Sequence, residues 1–182
     1  MFTKKIMAAA AVAVASLGMA SSAQAFTNAP VGTAVQGNLV SPTVALGSFS
    51  SCTSSSVSGA VTVDSGAGNG GVGNVTSASF GGCTVFSSAA TVTPLGLPWT
   101  LAVNGAGQMT LSNVQVRLQW GLLNCTYGPG TVSGQYNSPS AGLVTLSGTL
   151  NRTAGSSLCP ATAAVSGQYR VTVTSSGAVV VL

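Results

Sequence analysis

From Ser50 to Val173 the apolar residues recur at every second position, and Gly, Ser and Thr interrupt every run before the 3.6-residue period of an amphipathic helix can develop. A chain patterned in this way satisfies its backbone by pairing strand with strand. Val57, Gly59, Val61 and Val63 are expected on one face of a strand that the glycine-rich stretch 65–73 ends. Asn74 to Gly81 forms a second strand, with Ala78 and Phe80 on one side, and leads into Cys83. Trp99, Leu101 and Val103 alternate up to a turn at Asn104-Gly105-Ala106-Gly107, which predicts a hairpin. On its return arm Met109 and Leu111 have one parity, and Val114, Val116, Leu118 and Trp120 the other. A bulge is therefore expected at Ser112-Asn113. Further strands are read over 131–136, 143–150, 163–173 and 178–182. This turn-rich spacing points to an all-β fold, an antiparallel β-sandwich of Ig-like or jelly-roll-like type.

The first 25 residues read as a cleavable signal peptide. Lys4 and Lys5 form its positive start, Ile6 to Met19 its apolar middle and Ala23-Gln24-Ala25 its small-residue cleavage site. The apolar run is shorter than the roughly 20 residues that span a bilayer, which argues against a retained anchor. Cleavage after Ala25 leaves 182 − 25 = 157 residues, enough for one domain. Residues 26–46 are expected to form an N-terminal extension or the first strands, and 47–182 the domain proper.

Export bears directly on the four cysteines, Cys52, Cys83, Cys125 and Cys159. An even number outside the cytoplasm implies two disulfides. Of three possible connectivities, Cys52–Cys83 with Cys125–Cys159 is favoured because each pair stays within one half of the mature chain. A metal site is disfavoured: no two cysteines are closer than thirty residues, and neither His nor a carboxylate cluster is present to complete a shell.

Charge is scarce. After cleavage only Asp64, Arg117, Arg152 and Arg170 remain, a net charge of 3 − 1 = +2. Three scattered arginines cannot make the clustered phosphate contacts that nucleic acids require. With no His, no Lys and one Asp in the mature chain, general acid–base catalysis lacks its groups and a serine nucleophile lacks an activating base. The protein is therefore read as a non-enzyme without catalytic, cofactor or metal residues. Arg117 and Arg170 fall on polar strand faces among Gln and Thr, and an exposed pairing of either with Asp64 would add little. A transmembrane barrel is disfavoured by the lack of aromatic girdles. Trp99 and Trp120 are candidate contacts for an apolar ligand, although a tryptophan in an alternating strand is more often core. Val-Ser-Gly recurs at 57–59, 132–134 and 165–167, extended to Val-Ser-Gly-Gln-Tyr in the last two. This is read as convergent strand patterning rather than duplication.

One combination of short motifs carries a family resemblance. Cys52 is followed by its Val-Ser-Gly strand, then come Gly73-Asn-Val-Thr-Ser-Ala-Ser-Phe-Gly-Gly-Cys83, Gly96-Leu-Pro-Trp99, Leu111-Ser-Asn-Val-Gln-Val116 and the late Cys125 and Cys159. Over about 47–173 the chain resembles the small secreted bacterial proteins called protein activator of alkane oxidation. The Ser/Gly-rich segments 65–73 and 151–158 depart from that pattern. The resemblance implies an extracellular or cell-surface accessory protein that promotes contact with or uptake of hydrophobic substrates such as alkanes, without oxidising them. It supplies no catalytic residues. A low net charge agrees, since weak repulsion between copies favours adsorption and self-association. The alternative is a structural subunit of an extracellular fibre, adhesin or biofilm matrix, in which residues 26–49 add as a strand to a neighbour's sheet.

Overall fold

A computed structural model describes residues 29–66, 70–138, 142–174 and 176. The signal segment and the strand expected at 178–182 lie outside the described residues. Among the described residues eleven strands form: β1 Ala34–Leu39, β2 Val44–Leu46, β3 Ser50–Asp64, β4 Gly70–Val85, β5 Ser88–Ala89, β6 Thr91–Leu95, β7 Trp99–Asn104, β8 Gln108–Trp120, β9 Leu123–Ser138, β10 Leu143–Gly155 and β11 Thr162–Val173.

The strands form one sheet closed on itself, not the two stacked sheets of a sandwich. Chain neighbours pair antiparallel around the ring β1-β3-β4-β7-β8-β9-β10-β11, and β11 returns to β1 through Val35 opposite Val173 and Leu39 opposite Tyr169. The result is an up-and-down barrel of eight strands. Inward–outward alternation is the same whether a sheet closes on itself or faces a second sheet, so periodicity alone could not separate the two. The deciding contact joins residues at opposite ends of the chain.

Two ring positions are shared. β2 continues the line of β1 and fits between β3 and β11. β6 pairs with β8 beyond the reach of β7, and the chain between them passes Gly96 and a cis Leu97–Pro98 bond. Because β1 bonds to both β3 and β11, residues 34–46 belong to the wall and are not spare for donation to a neighbour.

The hairpin of β7 and β8 forms with Val103 opposite Met109. A register shift between Leu111 and Val114, with Asn113 at φ 62°, lets both parities of β8 point inward: Met109 and Leu111 before it, Val114, Val116 and Leu118 after it are all buried. β3 departs from simple alternation. A shift between Val61 and Val63 turns the two valines apart, so Val61 is 3% exposed and Val63 49%. β4, β9 and β10 run well past the expected limits because the glycines in them are accommodated in the ladder. The inner face carries the core, from Val44, Val116 and Leu150 at one end to Val61, Val103 and Val144 at the other.

Candidate functional site

The two ends of the barrel are built from different side chains. At one end β2, β4, β8 and β10 finish and β3, β9 and β11 begin. Both disulfides lie there. Cys52 on β3 faces Cys83 on β4 in register, and Cys125 on β9 bonds Cys159 in the loop between β10 and β11. Beyond these links the tips are apolar. Leu122 is 100% exposed in the β8–β9 turn, Leu158 77% exposed beside Cys159, and Phe86 70% exposed in the β4–β5 turn.

Phe86 and Ser87 form the two-residue connection of a tight hairpin and hold φ of 46° and 66°. Such turns favour Asn or Gly, and a bulky aromatic in the left-handed region is strained. Strain at an exposed ring is unexpected if folding alone selects the residue. The ring meets Trp120 edge-on at 5.7 Å between centroids, and Phe49 at 6.3 Å. The loop that carries Leu158 is tied from behind. Arg152 Nη1 donates to the carbonyl of Ser156 at 2.7 Å and to that of Cys159. The arginine is therefore occupied with holding the apolar tip in place.

Inside the barrel lies a cavity of about 100 Å³, walled by inward residues from every ring strand. The recurrent Val-Ser-Gly segments help to make it: at 57–59, 132–134 and 165–167 the valine and glycine point inward, and the tyrosines of the two extended copies, Tyr136 and Tyr169, are buried. The Tyr169 hydroxyl shares a buried hydrogen bond of 2.9 Å with Ser55 Oγ, and burial raises its pKa above the ordinary tyrosine value, partly offset by that bond. Tyr127 is also raised by burial, with Arg152 acting in the opposite sense; its hydroxyl is buried without a hydrogen-bond partner.

The candidate tryptophans are not brought together. Trp99 lies in the wall of the cavity, 2% exposed, with Nε1 donating to the Leu95 carbonyl at 2.8 Å. Trp120 sits at the disulfide-linked end against Phe86. The four cysteines occur in the favoured pairing. Sequence reasoning overlooked Phe49, Phe86, Leu122 and Leu158, because all four lie in turns, where alternation carries no information. Leucines flanking the turn in Gly121-Leu122-Leu123 were the available signal.

Among the described residues no group of three or more His, Cys, Asp or Glu gathers, and no helix is long and apolar enough to cross a membrane. The family model of the Alkane oxidation protein activator PraA/PraB-like proteins matches residues 1–180. The chain belongs to this family. No curated protein and no solved structure matches it.

Proposed function

We propose that this family member is a secreted, non-enzymatic accessory protein that works outside the cell or on its surface, and that its disulfide-linked end adsorbs to hydrophobic substrate, such as an alkane phase. The observation that carries this reading is the strained, exposed Phe86 at the same end of the barrel as the exposed Leu122 and Leu158. Each tip protrudes on its own turn. A protein partner would need a separate pocket for each, whereas a liquid surface conforms to all three. Insertion of such side chains removes apolar area from water at about 25 cal/mol per Å².

Charge and chemistry support it. The single Asp lies at the far end, where its carboxylate accepts from the Gly66 amide at 2.8 Å, so no carboxylate side chain from the described part must be desolvated at the adsorbing end. The absence of His from the sequence and of Lys and Glu from residues 26–182 leaves little means of proton transfer. The family's name, an activator, fits an auxiliary role.

The test is adsorption of the purified chain, both disulfides intact, to a hexadecane–water interface. Wild type is expected to lower the interfacial tension, and the triple variant Phe86→Ser, Leu122→Ser, Leu158→Ser to lose most of that activity at unchanged far-UV circular dichroism. Indifference of the wild type to hexadecane, or equal adsorption by the folded triple variant, would remove the proposal. Self-association through the same end is the competing use, and a stable dimer by sedimentation that masks the three tips would favour it.

A further inference from the structure

We propose that the disulfide-linked end docks on a lipid bilayer that carries anionic phosphate head groups, with Arg117 as its head-group contact. The proposal rests on the reading that this end adsorbs through its apolar tips. It gives the tips a second surface and adds a charged residue for which an oil has no use.

Charge is divided unequally along the barrel axis. Arg117 stands three residues before the end of β8 and Arg152 three residues before the end of β10, and both strands finish at the disulfide-linked end. The other two charged side chains of the described residues lie toward the opposite end and offset one another. Asp64 closes β3, and Arg170 pairs with Leu143, the first residue of β10. Among the described residues, therefore, the apolar tips share their end with two guanidinium groups and no carboxylate side chain. Arg152 gives Nη1 to loop carbonyls, and these bonds leave its charge in place. Arg117 is exposed on the outer wall, opposite Thr93 of β6 and Thr126 of β9. An alkane phase holds nothing for such a charge to meet. A bilayer surface holds phosphate oxygens, which a planar guanidinium binds in bidentate fashion.

The order of side chains along β8 follows the layers of a bilayer. Leu122 is in the turn, Trp120 ends the strand half-buried, and Arg117 comes three residues earlier. Three residues of strand cover about 10 Å, or about 8 Å along the axis at the tilt of about 40° usual in barrels. Amphipathic elements in an interface sink their apolar side about 5–10 Å into it. With Leu122 and Phe86 at that depth, Trp120 comes to the boundary between acyl chains and head groups, where an indole is favoured. Arg117 then stands just outside the boundary, and its long side chain reaches back to the phosphates. Leu158 repeats the arrangement, with Arg152 bonded to the carbonyls of its loop.

The experiment is flotation of the full, disulfide-intact chain with unilamellar vesicles, either of phosphatidylcholine alone or of phosphatidylcholine and phosphatidylglycerol in equal amounts. An arginine near an anionic surface is worth about fivefold in partition, the equivalent of about 1 kcal/mol. Wild type should thus favour the anionic vesicles about tenfold or more, and Arg117→Gln should lose about fivefold of that preference. Salt of about 1 M, which shortens the screening length to about 3 Å, should remove most of it. Brominated acyl chains should quench Trp120, since Trp99 is buried in the barrel wall. Equal partition into both vesicles, partition into neither, an anionic preference that Arg117→Gln leaves intact, or undiminished binding by the folded triple variant Phe86→Ser, Leu122→Ser, Leu158→Ser overturns the proposal. The lipid and salt comparisons on wild type decide the matter if Arg117→Gln fails to fold. Arg117→Gln should lower the hexadecane–water tension as wild type does. A wild type that adsorbs to hexadecane and does not float with vesicles removes this inference and leaves the adsorption reading standing, whereas failure in both assays removes both.

Discussion

The disulfide-linked end and the opposite end of the barrel solve the same problem, holding hairpin turns in place, with different chemistry. At the opposite end the β7–β8 turn is held by its own polar groups. Asn104 Oδ1 accepts from the amides of Ala106 and Gln108, both at 3.0 Å, and Gln135 Nε2 reaches the Ala106 carbonyl at 3.2 Å. Asp64 performs a similar task beside Gly66. Side chains that bond their own turn are small, polar and wet. At the disulfide-linked end the exposed tips are Leu and Phe, which cannot bond a turn; Ser156 Oγ accepts from the Leu158 amide at 3.2 Å, and the rest of the order comes from covalent links and a guanidinium behind them. The lesson is that apolar tips become affordable in water only where something other than the tip residue fixes the loop.

The largest effect expected from breaking this arrangement is loss of a disulfide. Cys125→Ala with Cys159→Ala opens a link across 34 residues, and on the chain-entropy model costs about 3–4 kcal/mol of folding stability. Urea unfolding followed by tryptophan fluorescence measures it. Hydrogen exchange should then locate the loosening in 156–161 and not in 104–108. Equal loosening at both ends would remove the contrast between them.

A smaller effect, about 1.5–3 kcal/mol for hydrogen bonds to a charged group, is expected for Arg152→Ala. Its partners are carbonyls of the Leu158 loop, so the loss should again appear at 156–161. Arg152→Lys sharpens the comparison, because both bonds leave the one nitrogen Nη1 and the shorter lysine must bring its strongly hydrated ammonium to the same point to replace them. It should recover only part of the loss.

Much of this molecule is written in its alternation. The β7–β8 hairpin, the break at Asn113 and the pairing of the cysteines follow from parity and spacing within short stretches. Closure is of another kind. Val35 meets Val173 because eight twisted strands bring the first beside the last, and no local pattern encodes a contact over 138 residues of chain. The shift that turns Val63 outward is likewise set by pairing with β4, where Val61 faces Gly73 and Val63 faces Val72. The site divides along the same line. Trp99 was legible because it sits in a strand, whereas Phe86 gains its meaning from a backbone angle and from rings that arrive from β8 and from the segment before β3.

The smallest expected change in stability belongs to Phe86→Asn, and it is the most informative about the two ends. Asn is at ease in the left-handed turn that Phe86 occupies at φ 46°, so relief of strain should return about 1 kcal/mol. Against it stands the loss of ring contacts with Trp120 and Phe49, worth about 0.5–1.5 kcal/mol per aromatic pair. Two such pairs come to about 1–3 kcal/mol, and for a ring 70% exposed the lower end applies, so the terms nearly cancel and the urea midpoint should hardly move. Adsorption to hexadecane should fall all the same, since an exposed ring has been exchanged for an amide of the kind that already serves the opposite end. If Phe86→Asn instead lowers stability by 2 kcal/mol or more and leaves adsorption intact, Phe86 is a packing residue for Trp120, and the two ends differ in construction but not in task.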